Sequence, residues 1–402
     1  MKKCRLKNGL TVLFGKNSSK SVCVEVMVKV GSNYENKKER GISHFLEHML
    51  FEGTKKRKAS KEIANEIEKY GAEFNAYTSG DRTAYFIKII NKRFEKALEI
   101  LSDMMINSVF NPKMVDKEKK VISKEINMVK DDPRQHQWTL FQKNLFEKHP
   151  VKNPIAGSIE SVNRFSRANI VDYYKKHYVP NNMIISISGN VGDVKRLVEK
   201  YFGKLKAGKI IGRGKVNEPV QRKVKKFVEK RKIMNSYMVL GYKTVSRLNK
   251  DSYVLDVVNG ILGRGQSGWM FDEIRNKHGL AYQVGAILEH ETDYGYYAFF
   301  VGLDKSKIEK AKNLILEQFR KLDKISSKDI EEAKTYVEGN HALAIEDNFQ
   351  SCDNAAYWEL IKDANLTKKY IENIKKVTIN DVRRVVKKYL NDNYTLIVIE
   401  QK

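Results

Sequence analysis

The chain has 402 residues, 41% of them hydrophobic and 10% aromatic, so it can bury extended cores and is not an intrinsically disordered protein. Single cores rarely grow beyond about 250–300 residues, so the length predicts two domains of about 200 residues each. The formal net charge is +26, which is compatible with a polyanionic partner or an acidic substrate. The basic residues are nevertheless spread over every segment and mixed with acids, a pattern typical of solvated surfaces rather than of a nucleic-acid site.

The first predicted element is a strand at residues 10–14, which follows a turn at Asn8 and Gly9. The basic residues before it are not followed by an apolar stretch typical of a signal peptide. No run of 18 apolar residues occurs in the chain, so no membrane span is expected. The three cysteines are scattered along the chain. This pattern indicates free thiols in a reducing compartment. We therefore expect a cytoplasmic protein without membrane association.

The next segment contains His44, Glu47 and His48, two histidines and a glutamate within five residues. On a helix, histidines four positions apart lie on one face, and Glu47 lies at the edge of that face. Two such imidazoles can bind one zinc ion while the carboxylate reaches the attacking water. Gly41 and Ser43 are start signals for this helix. The alternative is a half-buried helix that carries two histidines by chance, and a third ligand would decide between the two.

An edge strand is predicted after a turn at Tyr70 and Gly71, in "AEFNAYTSG". The strand that follows it begins an internal repeat. Residues 84–97 align without gaps with residues 298–311, at an offset of 214. Both segments combine an apolar strand, a polar turn and the start of an amphipathic helix.

Two glutamates seven residues apart, Glu118 and Glu125, occupy the segment "NPKMVDKEKKVISKEINMVKDD". This spacing places both carboxylates on one face of a predicted helix. Taken alone, the pair is more typical of ordinary surface acids than of a binding site.

A second pair of segments, residues 170–188 and 379–399, shares one design: a helix that ends near two lysines, then a turn and a closing strand. Few of their residues are identical, but the matching order in both halves favours duplication over coincidence. A segment rich in glycine and lysine, residues 208–222, predicts the linker between the halves. We therefore predict an α+β protein with two tandem homologous domains, residues 1–207 and 223–402, each a mixed or antiparallel sheet packed against helices.

The pattern H-x-x-E-H is the zincin motif inverted. With its flanking residues, "HFLEHMLFEGT", the sequence resembles the pitrilysin/insulinase family of inverted-zincin metallopeptidases, in particular the processing-peptidase branch. The resemblance implies one zinc ion per chain, bound by His44, His48 and a distant Glu125. It also implies that Glu118 orients a ligating histidine, and that Glu47 is the general base of a metalloendopeptidase.

The same resemblance implies roles for two further elements. Asn75, Ala76 and Tyr77 would pair with an extended peptide through main-chain hydrogen bonds. Arg275 and Tyr282, in "IRNKHGLAYQV", match the family's arginine/tyrosine element, which contacts the substrate backbone and helps to stabilise the oxyanion. The glycine-rich segment before them lacks the motifs of a phosphate-binding loop.

Family members of this length carry two of the four domains of a closed clam-shell chamber. This implies a homodimer in which Arg275 and Tyr282 act on the partner subunit's zinc site, with unfolded peptides or presequences as substrates. The first alternative is a catalytically inactive family member that serves as a scaffold or partner subunit. The second is a basic nucleic-acid-binding protein, which only the net charge supports, so we expect no specific nucleic-acid partner.

Overall fold

The computed structural model describes residues 1–402, which form eleven strands in two sheets together with fifteen α-helices. The strands are β1 (Lys2–Arg5), β2 (Thr11–Gly15), β3 (Ser21–Val28), β4 (Glu73–Thr78), β5 (Thr83–Ile90), β6 (Met183–Gly189), β7 (Lys225–Arg231), β8 (Ser236–Lys243), β9 (Ala281–His290), β10 (Gly295–Leu303) and β11 (Thr395–Gln401). The helices are α1 (Ile42–Met49), α2 (Ser60–Glu68), α3 (Phe94–Asn107), α4 (Pro112–Asp131), α5 (Pro133–Leu145), α6 (Ile159–Arg164), α7 (Arg167–His177), α8 (Val194–Phe202), α9 (Asp251–Leu262), α10 (Trp269–Phe271), α11 (Ile308–Lys321), α12 (Ser327–Glu346), α13 (Asn348–Ile361), α14 (Thr367–Lys375) and α15 (Ile379–Tyr389).

The chain divides into two compact units, each assembled from three segments. The first unit contains Met1–Met128, Asn153–Lys215 and Leu343–Thr367, and the second contains Val129–Lys152, Val216–Ala342 and Lys368–Lys402. Each unit therefore includes a segment from the other half of the sequence. The boundaries drawn from the internal repeat remain a prediction about where the duplicated halves meet.

The two sheets share one strand order. The first sheet runs β1-β2-β6-β3-β5-β4, and the second runs β7-β11-β8-β10-β9. Each contains one parallel pair, β2 with β6 and β7 with β11, while its other neighbours are antiparallel. Apart from β1, each strand of the first sheet has a counterpart in the second. The predicted α+β class, with two homologous domains built on mixed sheets, is confirmed.

The central strand β3 shows why the first sheet is covered on both faces. Its valines alternate with other residues, so they point to one side of the sheet, where α1, α3, α7 and α8 complete the core. Met27 points to the other side and packs with Ala355 and Ala356 of α13. Helix α13 thus comes from the second half of the sequence but covers the sheet of the first unit.

In the second unit, a helix from the first half of the sequence covers one face of the sheet. Helices α9, α11 and α15 pack on one face of the sheet. Phe141 and Leu145 of α5, a helix from the first half of the sequence, pack with Val239 and Ile397 on the other face. Each sheet is therefore covered on one side by a helix that the other half of the sequence supplies.

The repeat predicted from the sequence appears as equivalent elements. The first pair of aligned segments forms β5 with α3 and β10 with α11, and the second forms α7 with β6 and α15 with β11. Helices α7 and α15 also begin with the same capping box, made by Ser166 with Asn169 and by Thr378 with Asp381. No helix of this chain combines the length and the apolar character that crossing a bilayer requires.

Candidate metal centre and active site

Helix α1 carries the H-x-x-E-H motif, and a residue outside the helix caps its N-terminus. Gly41 is the N-cap residue at φ +94° and has no side chain with which to cap the helix. The buried carboxylate of Glu35 instead accepts hydrogen bonds from the backbone N–H groups of Gly41 and Ser43, each at 2.9 Å. Burial raises the pKa of Glu35 to about 7, although both hydrogen bonds oppose the rise. The predicted start at Gly41 is confirmed, whereas the hydroxyl of Ser43 bonds to Tyr173 and does not cap the helix.

The same end of α1 crosses a second backbone segment at very close range. A Cβ atom on Gly41 would lie 2.6 Å from the carbonyl oxygen of Ala156, and one on Gly157 would lie 2.5 Å from that of Arg40. Both glycines also have positive φ, so neither position tolerates a side chain without strain. The beginning of the motif helix is therefore held by backbone packing as well as by Glu35.

Three predicted ligands converge between α1 and α4. His44 and His48 point from α1 toward Glu125 of α4, and one ligand atom from each of the three residues lies within 4.8 Å of the others. The Oε2 atom of Glu125 is 3.9 Å from Nε2 of His44 and 3.5 Å from Nε2 of His48. Because Ile42, Phe45, Leu46 and Met49 anchor α1 in the core, the polar face of the helix is left toward α4.

Glu118 completes this arrangement behind His48. Glu118 lies on the same face of α4 as Glu125 and is buried. It accepts a hydrogen bond from Nδ1–H of His48 at 2.9 Å. Burial alone would raise the pKa of Glu118, but the hydrogen bond from His48 and the nearby charge of Lys117 outweigh it and lower the pKa. Burial alone would lower the pKa of His48, but Glu118 and Glu125 outweigh it and raise the pKa. With Nδ1 committed to Glu118, Nε2, which faces Glu125, is the nitrogen that remains for a metal.

The donor set fits a zinc ion. Zinc in proteins favours tetrahedral coordination by imidazole nitrogens and carboxylate oxygens at about 2.0–2.2 Å, which separates neighbouring ligand atoms by about 3.3–3.5 Å. The measured separations of 3.5 Å and 3.9 Å are close to that range. Burial lowers the pKa of His44 to about 4, so this imidazole is neutral at physiological pH, as a ligand must be.

Glu47 lies beside these three residues but has a different partner. Its Oε2 atom accepts a hydrogen bond from the hydroxyl of Thr78, the last residue of β4, at 2.5 Å. Burial raises the pKa of Glu47, while the bond from Thr78 and the charge of His48 act in the opposite direction. A carboxylate with a raised pKa next to a metal-ligand set is suited to taking and returning a proton.

The predicted substrate strand is indeed at an edge, because β4 is the terminal strand of the first sheet. The amide oxygen of Asn75 accepts the backbone N–H of Ala76 at 2.9 Å. The hydroxyl of Tyr77 donates a short hydrogen bond to Asp353 of α13 and accepts one from Nε of Arg82 at 3.1 Å. The side chain of Tyr77 is thus bound within the fold, and only the main chain of this segment is suited to pairing with a peptide.

Arg275 and Tyr282 belong to the second unit and lie together there. Residues Asp272–Lys277 form a π-helix, a rare geometry that often occurs at functional sites. Arg275 donates from Nη1 to the carbonyl oxygen of Tyr282 at 2.9 Å, and its guanidinium lies 5.1 Å from the ring of Phe271. The side chain of Tyr282 is solvent-accessible, since the residue is 75% exposed.

The chain matches known protein families along most of its length. The family described as "Insulinase (Peptidase family M16)" matches residues 11–159, and the one described as "Peptidase M16 inactive domain" matches residues 164–337. A protein of Bacillus subtilis called an uncharacterized zinc protease is 29% identical over 405 residues, which cover 99% of this chain and 98% of the relative. One of Rickettsia felis, with the same description, is 34% identical over 356 residues, 85% of this chain and 83% of the relative.

Solved structures show the same fold. A protease from Helicobacter pylori superposes with a TM-score of 0.93 at 24% identity, over 99% of both chains. A putative M16-like peptidase from Alicyclobacillus acidocaldarius superposes with a TM-score of 0.88 at 20% identity, over 100% of this chain and 98% of the other.

Proposed function

Because this chain belongs to the insulinase family, peptidase family M16, we propose that it is a zinc-dependent metalloendopeptidase that cleaves unfolded peptides or presequences. The observation that carries the proposal is the convergence of His44, His48 and Glu125, with Glu47 beside them. The names of the relatives, zinc proteases, agree with this chemistry. We propose one zinc ion per chain.

In the proposed mechanism His44, His48 and Glu125 hold the zinc ion and Glu118 orients the His48 ring. When bound, zinc supplies Lewis-acid chemistry: it acidifies water and polarises a carbonyl group. Glu47 takes the proton of the attacking water and returns it to the amine that leaves when the peptide bond breaks. The raised pKa of Glu47 supports both directions of this transfer.

We also propose that the substrate pairs as an extended strand with the main chain of residues 75–77 on the free edge of β4. Arg275 and Tyr282 would contact the substrate backbone and stabilise the oxyanion. In this proposal the protein is a homodimer that encloses a clam-shell chamber, and each subunit supplies its Arg275 and Tyr282 to the zinc site of the other.

An inactive scaffold protein is the competing proposal, since part of the chain matches a family described as an inactive domain. That match, however, covers residues 164–337 and leaves out His44, Glu47, His48 and Glu125. All four lie within residues 11–159, which match the insulinase family. A retained ligand set with a buried orienting carboxylate favours an active peptidase over a scaffold.

The test combines zinc content with hydrolysis of internally quenched peptides. We expect about one zinc per chain, cleavage that a chelator abolishes, and recovery when zinc is added back. Glu47→Gln should retain zinc, because Glu47 is not a ligand, and should lose several orders of magnitude in kcat, because no other carboxylate replaces the base. Zinc-free protein, or turnover by Glu47→Gln close to that of the wild type, would contradict the proposal.

A further inference from the structure

The edge strand β4 presents a free main-chain edge and two side-chain faces. The hydrogen bonds of the hairpin that follows β4 show which main-chain groups point to the free edge. The N–H of Ser79 donates to the carbonyl of Arg82 across that hairpin at 2.8 Å. Hydrogen-bonded and non-hydrogen-bonded pairs alternate along an antiparallel ladder, so the main-chain groups of Tyr77 and Asn75 point inward to β5. Those of Ala76 and Thr78 therefore point outward, where a peptide strand would be added.

One face of β4 reaches the proposed general base. The side chain of Thr78 lies on the side of the sheet that α1 covers, and its hydroxyl donates to Oε2 of Glu47 at 2.5 Å. Both residues belong to the first unit. The residue that carries outward main-chain groups thus also holds the carboxylate by its side chain.

The opposite face fixes the same end of the strand. Tyr77 is bound through its hydroxyl to Asp353 of α13 and to Arg82. The guanidinium of Arg82 lies 5.6 Å from the ring centre of Tyr77 and 4.9 Å from that of Tyr357. With side chains anchored on both faces, the end of β4 has little freedom to move independently of the sheet.

We infer that Thr78 is a positioning residue that links the docking of a peptide on β4 to the placement of Glu47, an inference that rests on the proposed function. A peptide carbonyl that pairs with the edge takes the place of the Asn75 side chain at the N–H of Ala76. The pairing fixes the distance between the scissile bond and Thr78, and the hydroxyl of Thr78 fixes Glu47 relative to that bond. Peptide register and base position are thereby set by one residue.

The test compares Thr78→Val, which keeps the shape but removes the donor, with Thr78→Ser, which keeps the hydroxyl. Because a hydrogen bond to a charged group contributes substantial free energy, Thr78→Val should lower kcat about 10–100-fold. The KM should stay within about threefold of the wild type, and the zinc content should be unchanged. Thr78→Ser should restore kcat to within about threefold of the wild type. Thr335→Val is the matched control, because the hydroxyl of Thr335 bonds only within its own helix, to the carbonyl of Glu331.

A second measurement separates positioning from structural damage. In a Glu47→Gln background the hydroxyl has no base to place, so adding Thr78→Val should reduce the residual rate no further. Fluorescence anisotropy of an uncleaved labelled peptide should give the same affinity for the single and double variants. The affinity measurement does not depend on turnover.

The outcomes are distinct. If the wild type cleaves peptides but Thr78→Val has an unchanged kcat, or loses activity through KM or zinc, the Thr78 assignment is overturned while the proposed function stands. If Thr78→Ser fails to rescue kcat, the assignment is likewise overturned. If the wild type itself shows no zinc-dependent hydrolysis, the proposed function and this inference both fall.

Discussion

At His48 the two ring nitrogens have separate partners, and this division decides what the ring can bind. Nδ1 is 2.9 Å from Glu118, whereas Nε2 is 3.5 Å from Glu125. A carboxylate can only accept, so Nδ1 carries a proton, and Nε2 is the nitrogen that a metal would use. The buried position of Glu118 strengthens this bond, because little water competes for the carboxylate.

This geometry predicts the effect of Glu118→Gln. The glutamine amide lacks the negative charge that raises the basicity of the imidazole. Hydrogen-bond partners of metal ligands typically contribute about 10–100-fold to metal affinity or activity. We expect zinc affinity, measured by competition with a chromogenic chelator, to fall by that factor while the fold is kept. Asp116→Asn on the same helix is the control, since its side chain is 74% exposed and pairs only with Lys119. Equal affinities for both variants would contradict the role of Glu118.

Residues of the site differ in how far the sequence predicts them. Local spacing alone places His44 and His48 on one helical face, and Glu118 with Glu125 on another. Only the family resemblance brought the two helices together, and the structure agrees. Neither source identified Glu35 or Thr78, because a buried carboxylate that caps a helix six residues away, and a hydroxyl that meets Glu47 from a different strand, leave no periodic pattern in the sequence.

At the scale of elements, the docking of α13 on the first sheet buries one carboxyl group completely. Glu25 of β3 points to the face that α13 covers and is fully buried beside Asp353 of that helix. Burial raises its pKa well above the ordinary value; the charges of Asp353 on α13 and Cys23 on the same strand add to the rise, and Arg82 opposes it. Burial therefore favours the protonated form of Glu25 in the folded protein.

The sign of the resulting pH dependence follows from linkage. The unfolded chain loses this proton above its ordinary pKa near 4.5, whereas the folded protein keeps it to higher pH, so the stability contributed by the neutral form is lost as the pH rises. Glu25→Gln removes this loss, and its stability relative to the wild type should grow by up to about 1.4 kcal/mol per pH unit above 4.5. Urea unfolding at pH 5 and pH 8 measures it, with the exposed Glu73→Gln as control. Parallel pH profiles for Glu25→Gln and the wild type would contradict it.

Elements were predictable where a local period was strong, and their partners were not. The strand and helix pairs at β5 with α3 and at β10 with α11 follow from alternation and from a helical apolar face. The reciprocal placement of α5 and α13 does not, because an apolar stripe shows that a helix is buried without showing which sheet buries it. Ala355 and Ala356, which allow α13 to approach the first sheet closely, are equally ordinary in any helix.

For the whole molecule, the two duplicated halves share one architecture but carry different candidate functional residues. The strand orders of the two sheets correspond, yet the metal-ligand set lies only in the first unit, and the π-helix with Arg275 and Tyr282 lies in the second. A closed cyclic dimer presents both kinds of unit twice. Under the proposed function, each active site of such a dimer draws its zinc ligands and its oxyanion donors from different subunits.

Hybrid dimers test this division of labour. Glu47→Gln and Tyr282→Phe should each be nearly inactive, the second because loss of one oxyanion donor typically costs about 100–1,000-fold in kcat. In a hybrid, one site would contain both defects and the other neither. Random exchange at equal amounts yields hybrids as half of all dimers, so about a quarter of the wild-type activity should return.

The control for this experiment is a mixture of Glu47→Gln with His44→Ala. Both changes lie in the first unit, so every site of that hybrid carries one defect, and no activity should return whichever subunit supplies the second element. Differently tagged subunits, recovered together by tandem purification, establish that exchange has occurred. Recovery in the first mixture alone supports a site completed by the partner. Absence of recovery in both, with exchange demonstrated, would place Arg275 and Tyr282 at the zinc site of their own chain.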